Sequence, residues 1–225
     1  MPDYLKAVTN IPLFLIMSKP VRKKCCLSLC YTWLVAGDII GLWGVPLQAH
    51  AWQESFGALV FSEVMADPDP SVGLPAIEYL ELYNRTDYPI SLAGWQLGWE
   101  GGSCLLPYGI VKGGNYAVIT SESAALMLDS GLTVLGCRSF PVLPNTGRLY
   151  YLKAPDGTLV AWFQYASSWV KPLFKQHGGW SLECVDVTNL SGRADNWRAS
   201  TDPLGGTPGR ANSVASSHPD TVRPV

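Results

Sequence analysis

Five carboxylates, Glu63, Asp67, Asp69, Glu78 and Glu81, fall close together with no lysine or arginine before Arg85. Three kinds of chemistry suit such a cluster. Glu63, Asp67 and Glu78, with Asp69 beside them, offer oxygen ligands to a hard cation, and Ca²⁺ is the cation expected outside the cell. Two carboxylates held across a cleft could hydrolyse a glycoside if burial raised one pKa. Alternatively, Asp67 and Asp69 shape Asp-Pro turns and cap backbone donors, while Glu63 and Glu78 pair with arginine or hydroxyl groups. The spacing is not that of an EF-hand, and nothing in the pattern predicts a cleft. Turn chemistry is therefore the first expectation, a calcium site on Glu63, Asp67 and Glu78 the second, and a metal-assisted hydrolase the last.

Other reactive residue types are sparse. Past residue 51 the only histidines are His177, in a turn-like KQHGGW, and His218, near the end of the chain. A Ser/His/Asp or Cys/His arrangement would have to use His177, and no G-x-S-x-G motif accompanies it. No catalytic residue is expected. Cys104, Cys137 and Cys184 lack CxxC spacing, which excludes a structural zinc site. In an oxidising compartment one pair can bridge; Cys104 with Cys137 is preferred because Cys184 lies inside a strand-like run. Six tryptophans follow Trp52. Trp95, Trp162, Trp180 and Trp197 sit in or beside strand-like runs and read as core. Trp99, before a Gly-Gly turn, and Trp169, after two serines, are the candidates for an exposed contact surface. The glycine pairs at 113–114, 178–179 and 205–206 match no phosphate loop and read as turns.

These residues need a scaffold, and only part of the chain supplies one. The 225 residues carry a net charge of −2. Residues 19–24 are basic (KPVRKK), residues 25–49 are apolar, and Ala49-His50-Ala51 has the small-x-small form of a signal-peptidase site. Residues 1–51 thus read as an N-terminal leader, with Met17 as the true start and cleavage after Ala51. An uncleaved membrane anchor is the rival reading, since 25–49 is long enough to span a bilayer. Either way the protein is expected to be exported, to the periplasm, cell surface or extracellular space. The remainder, 52–225, is acidic at about −5 and has no basic stripe, which argues against nucleic-acid binding.

Within it, short apolar runs alternate with turn signals. Strands are expected over 59–64 and 77–84, then 88–97 with a bend at Gly94, then 103–106, 115–120, 132–135 and 180–187. In the second, Leu80 and Leu82 share a core face, while Tyr79, Glu81 and Tyr83 share a face nearer water. Residues 148–165 form the clearest hairpin, around Asp156-Gly157. Residues 121–130 are the helical candidate, capped by Ser121 or Ser123. Residues 215–225, polar and punctuated by proline, read as a flexible tail or linker, and 52–214 as one domain. Eight or nine short strands and one short helix predict an all-β sandwich.

Those same segments carry a family resemblance. EYLELYN (78–84), ISLAGWQL (90–97) and GGNYAVIT (113–120) resemble the lamin tail domain. Residues 62–84, GGWSLE (178–183), ADNWRAS (194–200) and GGTPGRANSV (205–214) resemble its secreted bacterial branch. The resemblance spans about 59–214 and implies an immunoglobulin-like β-sandwich. It further implies a non-catalytic binding or structural module, often one part of a longer surface protein, without a cofactor. The partner would be a protein or an envelope glycan, the latter if the module binds carbohydrate; a membrane would be met only through an uncleaved leader. That branch usually has a cysteine between the SLE strand and the NW motif. Here Leu190 occupies the region and Cys184 lies within the strand, so the family's disulfide does not carry over.

Overall fold

The structure is a computed structural model that describes residues 55–218; the leader, its cleavage site, Met17 and residues 219–225 lie outside them. Twelve strands, one α-helical turn and three short 3-10 turns form among the described residues. A six-stranded sheet takes β1 (Leu59–Met65), β2 (Tyr79–Asn84), β7 (Tyr116–Ser121), β8 (Val134–Cys137), β11 (Leu182–Cys184) and β12 (Trp197–Ala199), in the order β12-β11-β1-β2-β7-β8. A four-stranded sheet takes β4 (Gln96–Trp99), β5 (Gly102–Leu105), β9 (Leu149–Lys153) and β10 (Leu159–Gln164), in the order β10-β9-β4-β5. The short pair β3 (Ile90–Ser91) and β6 (Ile110–Val111) forms a third ribbon. All pairings are antiparallel except that of β7 with β8.

The sandwich core lies between the two larger sheets. Phe61, Leu80, Leu82 and Trp197 from one side meet Leu97, Tyr150, Leu152 and Phe163 from the other, all buried in one cluster. Aromatic rings knit the layers: Phe163 lies 4.5 Å from Phe61 and 5.2 Å from Trp197, centroid to centroid. Such pairs add stabilisation of about 0.5–1.5 kcal/mol each beyond their buried area. The all-β sandwich expected from the alternating runs, immunoglobulin-like as the family resemblance implies, is thus the observed architecture.

The hairpin forms where its turn residues required. Gly157 takes φ 88°, its N–H reaching Ala154 O at 2.9 Å, and Asp156 Oδ1 accepts from Thr158 N at 2.8 Å. Two expectations are corrected. The run 88–97 is two strands, because Leu92 and Trp95 close a turn (Trp95 N to Leu92 O, 3.1 Å). The helix at 121–130 is a single turn, α1 (Glu122–Ala125), capped by Ser121 Oγ accepting from Ala124 N at 3.2 Å. No residue of α1 is buried, and Leu126 beyond it is 88% exposed. Of its four residues only Ala124 packs on an apolar cluster, that of Met65, Ile77, Tyr79 and Val118, so the helix has little to sustain it beyond one turn.

Candidate functional site: a closed row of buried glutamates

The second face of the six-stranded sheet carries the densest chemistry in the domain. Register places Glu63 on β1 directly opposite Glu183 on β11 and Glu81 on β2. Side chains so paired stand about 5 Å apart on one face. The ladder slips between Phe61 and Glu63, a bulge that turns Ser62 toward this face, where its Oγ donates to Glu81 Oε1 at 2.7 Å. Each of the three glutamates is 0% exposed. No ion pair formed among the described residues reaches them. Lys175 feels the charge of Glu183, but its ammonium donates to Ser200 O and sits 4.0 Å from the centroid of the Trp180 ring.

What covers the row is the Gly/Pro-rich segment after β12. Gly209 N donates to Glu81 Oε2 at 2.5 Å, and Thr207 N donates to Glu63 Oε1 at 2.9 Å. Ser213 Oγ (2.8 Å) and Val214 N (3.2 Å) donate to Glu183 Oε2. Tyr79 OH adds a 2.7 Å bond to Glu63 Oε1 from the sheet itself. Asn212 fastens the segment by donating through Nδ2 to the buried carbonyls of Ser62 and Cys184, both at 2.8 Å. Backbone N–H groups and hydroxyls, not cations, thus satisfy the carboxylates. Only glycine fits at 206, where a Cβ would stand 2.6 Å from Glu63 Oε1 and 2.8 Å from Tyr79 OH. Gly209 takes φ 78°, which lets its N–H face Glu81.

The electrostatics follow from this burial. Two carboxylates about 5 Å apart repel by roughly 3 kcal/mol at an effective dielectric of 20. Burial pushes Glu63 up to about 7, with Glu183 adding repulsion against its hydrogen bonds. Glu81 is raised for the same reasons, burial first and then the charge of Glu63. The hydrogen-bond count agrees. Thr207 Oγ1 lies 3.0 Å from Glu183 Oε1, 3.3 Å from Glu63 Oε2 and 3.4 Å from Asn212 Oδ1, yet one hydroxyl proton serves only one acceptor. A carboxylic acid at Glu63 supplies a further proton to this group. The row therefore holds protons and backbone; it has no open face for a substrate.

The expected site residues fall into different places. Glu63 belongs to this row, whereas Glu78 Oε2 accepts from Leu143 N at 2.9 Å. Asp67 acts on Glu78 through its charge, while its carbonyl accepts from Gly179 N at 2.7 Å. Among the described residues no group of three or more His, Cys, Asp or Glu is placed to hold a metal ion, so Glu63, Asp67 and Glu78 do not form one ligand set. Trp99 and Trp169, expected at the surface, are half-buried and pack against the main core. Glu81, expected nearer water, is sealed, as is Tyr79. Glu183 went unrecognised as a partner; its signal was the SLE alternation, with Leu182 and Cys184 inward and Glu183 on the opposite face. The expected tail is tied down as far as His218. Ser216 N donates to Val185 O at 2.9 Å and His218 N to Asp186 Oδ2 at 2.7 Å.

Two family-motif asparagines are hydrogen-bond hubs. Asn84 donates to Tyr88 O and Val111 O and accepts from Thr86 through Oδ1. Asn196 donates to Asp186 O and Asn189 O and accepts from Asp186 N. Facing sheets, an aromatic core and polar motif residues spent on loop anchoring define an immunoglobulin-like sandwich built for structure. A family profile described as Lamin Tail Domain matches residues 53–167, half of the chain. The chain belongs to the lamin tail domain family, whose immunoglobulin-like modules are generally non-catalytic. No curated protein matches the chain. The match ends before β11, so Glu183, Thr207 and Asn212 lie beyond it, although β11 and β12 complete the same sheet.

Proposed function

We propose that this protein is an exported, non-catalytic module that works by contact, and that its partner is another protein bound at an apolar groove beside α1. The observation that carries this reading is the gathering of exposed apolar side chains there. Leu126 (88%), Met127 (57%) and Val142 (74%) stand in solvent. Met127 and Val142 line a groove together with Ile77, Ala124 and Phe140. Apolar side chains left in water this way suit a partner surface more than a monomer's own needs. Burial of the glutamate row supports the non-catalytic part of the reading, since a general acid or base has to reach its substrate. A glycan partner has less support, because Trp99 and Trp169 are half-buried and packed against the core instead of forming an open stacking platform.

The test is capture from cell-envelope extract by the full chain, set beside its Met127→Asp and Val142→Asp variants. A partner retained by the wild type and lost by both variants supports the reading. Equal retention by all three, or capture of glycan alone, overturns it.

A further inference from the structure

Cys104 and Cys137 stand in a different part of the sandwich from the glutamate row. Cys104 lies on β5, the edge of the four-stranded sheet, and Cys137 closes β8, the edge of the six-stranded sheet. Both are buried in the cluster between the sheets. Phe61 of β1 packs on Phe163 of β10, so counting outward from that contact sets β5 over β8, and Gly109, just past β5, abuts the Leu135 side chain of β8. The influence of each thiol on the other's ionisation, lowering Cys104 and raising Cys137, agrees with that placement. The third thiol is engaged elsewhere: Cys184 on β11 accepts from Asn196 Nδ2 at 3.5 Å. Cys137 Sγ donates to Leu135 O at 3.9 Å within its own strand, and of the three possible pairings only Cys104 with Cys137 joins facing strand edges.

We propose that Cys104 and Cys137 form an inter-sheet disulfide that fastens the edges of the sandwich together. The oxidant is a disulfide, either oxidised glutathione or the active-site disulfide of a thiol oxidoreductase. The Cys104 thiolate attacks one sulfur of that disulfide and expels the other as a thiolate, leaving a mixed disulfide. The Cys137 thiolate then attacks Cys104 Sγ, forms the Cys104–Cys137 bond and expels the second oxidant thiolate. The two protein thiols lose two electrons and two protons; the oxidant's S–S bond is reduced to two thiols. Because both sulfurs are buried in the finished fold, the exchange takes place before the sheets close. The bridge closes a loop of about 33 residues, long enough for cross-linking to restrict the unfolded chain appreciably. Export supplies the oxidising compartment in which it would persist, and in that respect alone the inference rests on the proposed function.

Refolding in a glutathione redox buffer tests the pair without reference to localisation. The full chain is refolded, denatured in alkylating agent without reductant and digested. The peptides carrying Cys104 and Cys137 should be recovered linked, with Cys184 alkylated. Reductant should lower the melting temperature of the wild type by about 10 °C, and should not move that of the Cys104→Ser/Cys137→Ser double variant. Alkylation of Cys104 and Cys137, or linkage of either to Cys184, would overturn the proposal even if export itself were demonstrated.

Discussion

Raising the pH from 4.5 to 7.5 should destabilise this domain, and Glu63 is the residue whose replacement should blunt the effect. Its folded pKa is about 7, against an ordinary value of 4.5. Between those values the folded state holds a proton that the unfolded chain has released. Stability must therefore fall as pH rises through the window, being fully present below about 4.5 and lost above about 7. A gap of this size corresponds to about 3 kcal/mol for Glu63 alone. Glu81, also raised by burial, adds a loss of the same sign. For a domain of this length, about 3 kcal/mol lowers the melting temperature by roughly 6–12 °C. Asp186 and Asp202, held below their ordinary value by hydrogen bonds from Thr188 and Arg210, lose their contribution only at more acidic pH. Glu63→Gln keeps an acceptor for Tyr79 OH and Thr207 N while removing the charge. Thermal melts of wild type and variant at half-unit pH steps read the difference. The variant should show a shallower pH slope and melt higher than the wild type at pH 7.5. A wild-type melting temperature that is flat or rises between pH 4.5 and 7, or identical slopes for the two proteins, would refute the reasoning.

Three further outcomes follow from the same contacts. Asn212→Ala strands the buried carbonyls of Ser62 and Cys184 and should cost about 2–3 kcal/mol in urea unfolding. Gly206→Ala drives a Cβ to 2.6 Å from Glu63 Oε1 and should destabilise by about 2 kcal/mol or more, read by the same unfolding curve. Millimolar Ca²⁺ should move the melting temperature by less than about 1 °C, because the oxygens of Glu63 are already engaged and Glu78 serves Leu143 instead; a larger upward shift would restore the calcium site on Glu63, Asp67 and Glu78.

Much of the sandwich was legible because its signals are local. Asp156-Gly157 between two apolar runs specifies a hairpin within a few residues, and β1 and β2 follow from alternation on either side of a proline-rich loop. The glutamate row was not legible in that way. Tyr79, Glu81 and Tyr83 alternate as a solvent-facing set should, and nothing nearby says that this face is roofed. The roof comes from residues 205–214, more than a hundred positions later, in a segment whose glycines and proline look like an exit from the fold. Those glycines serve as covers: Gly206 permits close approach to Glu63, and Gly209 turns its N–H toward Glu81. Glu63 drew notice as one of five clustered carboxylates. Its true neighbours, Glu81 and Glu183, were set by strand register, which sequence proximity does not reveal. The misreading of Trp99 and Trp169 has the same origin, since a tryptophan beside a turn packs inward whenever the opposite sheet lies within reach.

Backbone amide hydrogen exchange at Thr207, Gly209 and Val214 probes the closure of the row most directly, because each of these N–H groups donates to a buried glutamate. Exchange at all three should be slowed by at least about a thousandfold relative to an unstructured chain, comparable to amides of β1 and β2. Exchange near free-chain rates would mean that the 205–214 segment does not roof the glutamates, leaving them open to solvent and to substrates.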